Sequence, residues 1–103
     1  MDKNEAIKKA REYAALVSQT VSPKKIILYG SYAKETWTES SDIDIAVVVD
    51  AVESDFLELE TKLYKLRRNV DDRIEPVLLE ESSDKSGFLE SIKKYGYTIY
   101  SAS

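Results

Sequence analysis

The feature that most restricts the fold is an apolar run that begins with two closely spaced aspartates. Residues 42–49 read Asp-Ile-Asp-Ile-Ala-Val-Val-Val, and the later half of this segment is apolar at every position. Strand-forming residues that are apolar on both faces indicate a central strand covered on both sides. The chain therefore needs neighbouring strands and helices to bury this segment.

The rest of the sequence supplies such neighbours. Helices are predicted at residues 3–20, 55–68 and 87–95, and further strands at 25–29, 73–79 and 97–100. Pro76 cannot donate a ladder hydrogen bond, so its strand is expected at a sheet edge or with a bulge. We predict an α/β (α+β) fold, with helices packed on a mixed sheet of three or four strands, in a single domain at 1–103.

Capping residues and apolar stripes define the three helices. Asp2 is expected to cap the first, with Glu5 as its capping-box partner. Ser54 or Asp55 is expected to cap the second helix, and Ser86 the third. The side chains expected to face inward are Ala6, Ala10, Tyr13, Ala14 and Val17 in the first, Phe56, Leu59, Leu63 and Leu66 in the second, and Phe88, Ile92 and Tyr95 in the third.

The chain contains neither cysteine nor histidine, and this limits its chemistry. Disulfides, thiolate metal sites and Ser-His-Asp triads are excluded. An enzyme of this composition works with carboxylates, hydroxyls, lysine and arginine. Carboxylate ligands without imidazole or thiolate favour hard cations such as Mg²⁺ or Mn²⁺.

Net charge and hydropathy argue against two other classes of protein, duplex DNA binders and membrane or exported proteins. The net charge is −4, whereas a free-standing duplex binder usually shows a basic surface, so direct binding to duplex DNA is not expected. We interpret the local basic patch of Lys62, Lys65, Arg67 and Arg68 as a solvated helix face. No apolar run reaches the length of a signal core or a membrane span, which predicts a cytoplasmic protein without membrane contact.

Gly30-Ser31 follows the apolar strand predicted at 25–29. Glycine lets the backbone approach a bulky anion closely, and a short helix is expected to begin within residues 32–36. A turn into a helix start presents free amides that suit phosphate, and Ser31 adds a hydroxyl donor. A lone Gly-Ser is more often an ordinary turn, so this motif gains meaning only from its neighbours.

Asp42 and Asp44 stand two residues apart at the start of the central strand. Residues i and i+2 of a strand point to the same side, so the two carboxylates lie side by side while Ile43 faces the core. Their repulsion raises each pKa unless a cation neutralises the pair, which a divalent metal does directly. A solvated strand start is the ordinary alternative for a lone Asp-x-Asp.

Glu75 is the third candidate carboxylate. If its strand pairs beside the central one, Glu75 joins Asp42 and Asp44 as a metal ligand. Taken alone, it reads equally well as an exposed edge glutamate. Asp71 and Asp72 are rival candidates, because a shift in where the third strand begins would bring one of them nearer.

The combination resembles the signature of the DNA polymerase beta-like nucleotidyltransferase superfamily, and most closely the minimal nucleotidyltransferases (MNT) of bacteria and archaea. Three motifs support the resemblance. Gly30-Ser31-Tyr32-Ala33-Lys34 is similar to the family's Gly-Ser-x-Ala-Arg, and Ser41-Asp42-Ile43-Asp44 is similar to its Ser-Asp-hydrophobic-Asp. Ile74-Glu75-Pro76 lies where the family places its third carboxylate. Two positions depart from this pattern. Glu35 stands where glycine is frequent, and Glu75 replaces the commoner aspartate.

The resemblance implies transfer of a nucleoside monophosphate, AMP from ATP, to a hydroxyl of a partner macromolecule. It gives Asp42, Asp44 and Glu75 catalytic and metal-binding roles with Mg²⁺ or Mn²⁺. The same resemblance makes Gly30, Ser31 and Lys34 nucleotide-binding residues. Members of this family often act as antitoxins to a small helical HEPN-type toxin.

Two further functions compete with this one. A binding module of the same fold would neutralise its partner by contact alone, without catalysis. A stand-alone antibiotic nucleotidyltransferase is disfavoured by the short chain, which leaves no residues for an acceptor-binding domain unless a homo-oligomer completes the site.

Overall fold

A four-stranded mixed sheet carries the helices in this computed structural model, which describes residues 1–52, 55–83 and 87–102. The α-helices of the described chain are α1 (Lys3–Thr20), α2 (Phe56–Leu66) and α3 (Phe88–Tyr95), and its strands are β1 (Lys25–Tyr29), β2 (Ile43–Val49), β3 (Ile74–Glu80) and β4 (Tyr97–Ser101). The predicted α/β class is confirmed. Within the described ranges, no helix is long and apolar enough to cross a membrane.

The strand order is β3-β2-β1-β4. Strand β1 pairs antiparallel with β2 and with β4, whereas β2 and β3 run parallel and are connected through α2. The apolar strand β2 is therefore interior, as its sequence predicts, and all but one of its residues are buried. Pro76 lies in β3 at the edge of the sheet, which confirms the position expected for a residue without an amide proton.

The two faces of the sheet bury different helices. One face packs against α1 and α2 through Ile43, Ile45 and Val47 of β2, and the other packs against α3 through Ala46 and Val48. Side chains alternate along a strand, so the even-numbered positions of β2 all point toward the α3 side. Asp44 therefore belongs to the face that α3 covers.

The prediction for α1 is confirmed in its bounds, its cap and its buried stripe. Asp2 accepts a hydrogen bond from the Glu5 amide at 2.9 Å. In α2 the cap is Asp55, which accepts from the Glu58 amide, while Ser54 and Ser86 lie outside the described residues. The buried residues of α1 are Ala6, Ala10, Tyr13, Ala14 and Val17.

Three aromatic side chains predicted to be buried are exposed instead. Phe88 and Tyr95 of α3 are 42% and 59% exposed, and Phe56 at the start of α2 is 36% exposed. The inward face of α3 is centred on Leu89 and Ile92, so Phe88 and Tyr95 lie at its flanks. Phe56 begins its helix, ahead of the turn whose Leu63 reaches the core.

Tyr13 joins α1 to the end of α2. Its ring is fully buried, and its hydroxyl donates a hydrogen bond to the Leu63 carbonyl at 2.5 Å. That carbonyl belongs to the last turn of α2, where carbonyls lack the usual intrahelical partner. Burial raises the pKa of Tyr13 above its ordinary value, which keeps the hydroxyl protonated as a donor.

Replacing Tyr13 with phenylalanine should lower the free energy of unfolding by about 1–2 kcal/mol, because a buried carbonyl loses its donor. Urea unfolding followed by circular dichroism measures the loss. Tyr97→Phe is the matched control, since the Tyr97 hydroxyl accepts only an exposed hydrogen bond from Arg11. Equal effects of the two substitutions would show that the Tyr13 bond does not stabilise the helix pair.

Candidate active site

Asp44 lies between side chains from both neighbouring strands. The register pairs Asp44 with Tyr29 in β1 and with Glu75 in β3. Glu75 and Tyr29 stand on the same face as Asp44, because their strands bury the alternate residues against α1 and α2. The expected pairing of the third strand beside the central one is therefore observed, and it makes Glu75 a lateral neighbour of Asp44.

Gly30 is in direct contact with the Asp44 carboxylate. Its backbone adopts the left-handed φ of 75°, and a β-carbon at this position would overlap Oδ2 of Asp44. Glycine is thus required here both by its backbone conformation and by the approach of an anion. The anion that touches it in the structure is the protein's own carboxylate, so the Gly-Ser turn and the Asp-x-Asp pair meet at one end of the sheet.

The segment after Gly30 is a turn, and the short helix expected within residues 32–36 is absent from it. The Lys34 amide donates to the Gly30 carbonyl at 3.0 Å, and the Thr36 amide donates to the Ser31 carbonyl at 3.0 Å. Glu35 adopts a left-handed φ of 62°, which ends the helical path after one turn. The carboxylate of Glu35 pairs with the Lys3 ammonium group of α1.

Glu35 thus adopts a backbone conformation that favours glycine, the residue that the family resemblance leads us to expect at this position. A residue with a β-carbon pays a steric cost in the left-handed region, and glycine does not. The added negative charge of Glu35 is offset by Lys3. Lys34 is exposed and Ser31 is half-buried, and both belong to this turn.

The carboxylates create an excess of negative charge. Burial raises the pKa of Asp44 above its ordinary value, and the neighbouring charges of Asp42 and Glu75 raise it further. The pKa of Tyr29 is also raised, by burial first and then by Asp44 and Glu75. A bound cation would relieve this repulsion, because it favours the charged form of each carboxylate.

The side chain of Arg67 holds Glu75 from the other side. Its Nη1 lies 3.4 Å from Oε1 of Glu75 and donates to the backbone carbonyls of Asp72 and Ile74 at 2.7 and 3.2 Å. Its Nη2 donates to the Tyr64 hydroxyl at 2.6 Å. The guanidinium therefore fixes the start of β3 to the end of α2.

This arrangement corrects the interpretation of the basic patch. The side chain of Arg67 is only 17% exposed, and its Nε is buried with no hydrogen-bond partner among the described residues, whereas Lys62, Lys65 and Arg68 are exposed. The sequence holds a signal for this difference. Arg67 follows Leu63 by four residues and so continues the buried stripe of α2.

The donor set suits a hard divalent cation at Asp42 and Asp44. Both side chains offer carboxylate oxygens, Asp42 is exposed to solvent, and the pKa of Asp44 is raised first by burial and then by the charges of Asp42 and Glu75. Among the described residues, no three acidic side chains are grouped closely enough to hold one metal ion. Glu75 is next to the pair along the ladder, but its carboxylate is turned to Arg67.

Asp71 makes its contacts away from this cluster. Its Oδ1 accepts from the Arg73 amide at 2.8 Å, and its Oδ2 lies 3.2 Å from Nζ of Lys9 on α1. Although burial acts to raise it, the pKa of Asp71 is lowered overall by the Arg73 amide and Lys9. Asp72 is exposed in the loop before β3.

The contact between Gly30 and Asp44 can be measured by a pair of alanine substitutions. Gly87 has nearly the same φ, 76°, but no atom of the described residues lies within 4 Å of an added β-carbon. Gly87→Ala should therefore cost only the backbone strain, about 1 kcal/mol. Gly30→Ala should cost distinctly more, because the Asp44 carboxylate must also move. Equal losses in urea unfolding would contradict the close approach.

The chain is similar to known nucleotidyltransferases in sequence and in fold. Residues 11–103 match the family model described as Polymerase beta, Nucleotidyltransferase. Two proteins of Methanocaldococcus jannaschii, each named putative protein adenylyltransferase, are similar in sequence. One is 27% identical over 101 residues, covering 92% of this chain and 99% of that protein. The other is 55% identical over 40 residues, covering 39% of this chain and 40% of that protein.

Two solved structures share the fold. A crystal structure named as a putative nucleotidyltransferase from Sulfolobus solfataricus superposes with a TM-score of 0.71 at 18% identity, covering 96% of this chain and 83% of that one. A chain from a toxin-antitoxin crystal structure with AMP-PNP superposes with a TM-score of 0.61 at 25% identity, covering 99% and 75%. With the family match spanning nearly the whole sequence, this chain belongs to the polymerase beta nucleotidyltransferase family.

Proposed function

We propose that this protein transfers AMP from ATP to a hydroxyl group of a partner protein and releases pyrophosphate. The main support for this proposal is the contact of Asp44 with Gly30. This contact brings the Gly30-Ser31 turn, here called the phosphate-type turn because its amides suit phosphate, next to the acidic pair at one end of the sheet. The family match supports nucleotidyl transfer, and the names of the M. jannaschii relatives support a protein acceptor.

In this proposal the turn binds the phosphates of ATP, and the acidic pair binds the cation that accompanies them. Asp42 and Asp44 hold Mg²⁺ or Mn²⁺, while the Ser31 hydroxyl and the amides beside Gly30 hold the outgoing phosphates. Lys34 adds a positive charge, as a point donor rather than a bidentate fork. When bound, the cation neutralises the triphosphate and lowers the pKa of the attacking hydroxyl.

Glu75 takes the proton of the attacking hydroxyl or orients that hydroxyl. Its position beside Asp44 places it at the edge of the sheet, where a second molecule can approach. We expect Arg67 to restrict the orientation of the Glu75 side chain, which it contacts through Nη1, the same atom that donates to the carbonyls of Asp72 and Ile74. Alignment and charge stabilisation provide most of the rate in such transfers.

We further propose that the acceptor is a small helical HEPN-type toxin and that this chain is its antitoxin. The toxin-antitoxin crystal structure with AMP-PNP supports this pairing, because its chain shares the fold over nearly all of this sequence. A homo-oligomer that completes the acceptor site is the alternative arrangement. The reaction belongs inside the cell, where ATP is available.

A non-catalytic binding module is the second candidate. The observation that favours it is the orientation of Glu75 toward Arg67, which leaves no grouped set of three acidic ligands in the described parts of the chain. Such a module would keep the fold and bind its partner without transfer. The two experiments below separate the candidates.

ATP with Mg²⁺ or Mn²⁺ should raise the melting temperature of the purified chain. At a hundredfold excess of ligand over the dissociation constant, binding should add about 2.7 kcal/mol to the free energy of unfolding. The double substitution Asp42→Asn, Asp44→Asn should abolish the metal-dependent part. Its unliganded form should be slightly more stable at neutral pH, because the raised pKa of Asp44 means that its charged form opposes folding. A ligand-induced shift equal to that of the wild type would exclude the aspartates as ligands.

Substituting Glu75→Gln should leave nucleotide binding largely intact and slow AMP transfer by roughly a hundredfold or more, the usual contribution of a general base. The transfer is measured by incubating this chain with labelled ATP and with the protein encoded in the reading frame next to its own. Asp71→Asn and Asp72→Asn are the controls, and both should transfer at the wild-type rate. If Asp72→Asn is slow instead, Asp72 is the third carboxylate. If none of the three matters while ATP still binds, the binding module is the better proposal.

A further inference from the structure

A cavity of about 210 Å³ adjoins the candidate active site on the α3 side of the sheet. Gly30 and Lys34 line one end of it, and Tyr29, Phe88 and Tyr95 provide aromatic walls. The turn proposed to hold phosphates therefore opens directly into an aromatic cavity. Its volume is below the range of about 300–1,000 Å³ for drug-sized ligands, but it suits one planar ring system.

We propose that this cavity binds the base of the nucleotide whose phosphates lie at Gly30-Ser31. The inference rests on the proposed function, and it adds the determinant that selects the nucleoside. Gly30 is the link, because it contacts the Asp44 carboxylate and also lines the cavity. A nucleotide bound at the turn with its sugar directed toward α3 would bring its base between β1 and α3.

The walls of the cavity have the chemistry that recognises a base. The rings of Tyr29 and Phe88 meet edge to face, with centroids 5.8 Å apart, and this contact fixes one wall. Tyr95 also lines the cavity and keeps 59% of its surface exposed. Bases stack on such aromatic faces regardless of sequence, and a bound base would cover apolar surface that now faces water.

Polar groups at the rim are few and uncharged except for Lys34. The Ser91 hydroxyl of α3 lines the cavity, and no carboxylate is among its described lining residues. A neutral base is therefore accommodated without desolvating a carboxylate. By contrast, a larger cavity of about 570 Å³ beside α2 is lined by Asp55, Glu58 and two lysines, and none of its lining residues belongs to the candidate site.

Stacking area decides which bases bind best. A purine covers more of the aromatic walls than a pyrimidine does, so ATP and GTP should bind more tightly than CTP and UTP. The phosphates and the cation contribute equally to all four nucleotides. The preference should therefore be lost when an aromatic wall is removed.

The test compares ATP with inorganic tripolyphosphate, which has the phosphates but no base. Isothermal titration in Mg²⁺ measures both affinities for the wild type and for Tyr95→Ala. We expect Tyr95→Ala to weaken ATP binding by about tenfold, within the usual range for losing one stacked ring, and to leave tripolyphosphate binding unchanged. Tyr97→Ala is the matched control, because Tyr97 is also exposed and lies outside the cavity lining.

Phe88→Ala provides a second variant in the cavity lining. Melting temperatures of all three variants close to that of the wild type check that the fold is kept. The proposal is overturned if the wild type binds ATP, CTP and tripolyphosphate equally well, or if Tyr95→Ala and Phe88→Ala both bind ATP like the wild type. Failure of the wild type to bind tripolyphosphate and ATP at all would instead overturn the proposed function, and the base site with it. Normal tripolyphosphate binding without base discrimination overturns only the base site.

Discussion

The pairing of β2 with a strand on each side is the constraint on which the candidate site depends. Asp44 faces Tyr29 of β1 across an antiparallel ladder and Glu75 of β3 across a parallel one. A slip of one residue would turn Asp44 toward the core beneath α1 and α2 and turn Ile43 and Ile45 away from that core, toward the α3 side. Because burying an unpaired carboxylate is strongly unfavourable, the apolar pattern of β2 fixes its register and thereby places the acidic site.

The same register concentrates charge that the fold itself compensates only in part. Arg67 offsets Glu75, and Lys3 offsets Glu35 beside the phosphate-type turn. Asp44 has the raised pKa expected of a carboxylate that is partly buried next to other acidic groups. Among the described residues, like charges are thus held close together at the candidate site, where a bound cation would reduce their repulsion.

The sequence predicted the elements whose signals are local. The bounds of α1 and β1 agree with the structure, because an N-cap, an apolar stripe and a terminal glycine mark them. Features that depend on distant contacts were missed. The outward position of Phe88 depends on how α3 docks on the sheet, and the burial of Arg67 depends on the return of β3 past the end of α2. The left-handed φ of Glu35, which ends the expected helix after Lys34, has no sequence signal except the family's preference for glycine.

Glu75 and Arg67 form an ion pair at the edge of the sheet, and the length of the glutamate side chain permits this contact. Arg67 is held in place by the carbonyls of Asp72 and Ile74 and by the Tyr64 hydroxyl, so its guanidinium has little freedom to move toward β3. The carboxylate of Glu75 reaches it at 3.4 Å, near the limit for such a contact. Aspartate is one methylene shorter and would leave this buried guanidinium without its anionic partner. The longer side chain therefore maintains the contact with Arg67 at the edge of the sheet, while the register keeps residue 75 beside Asp44.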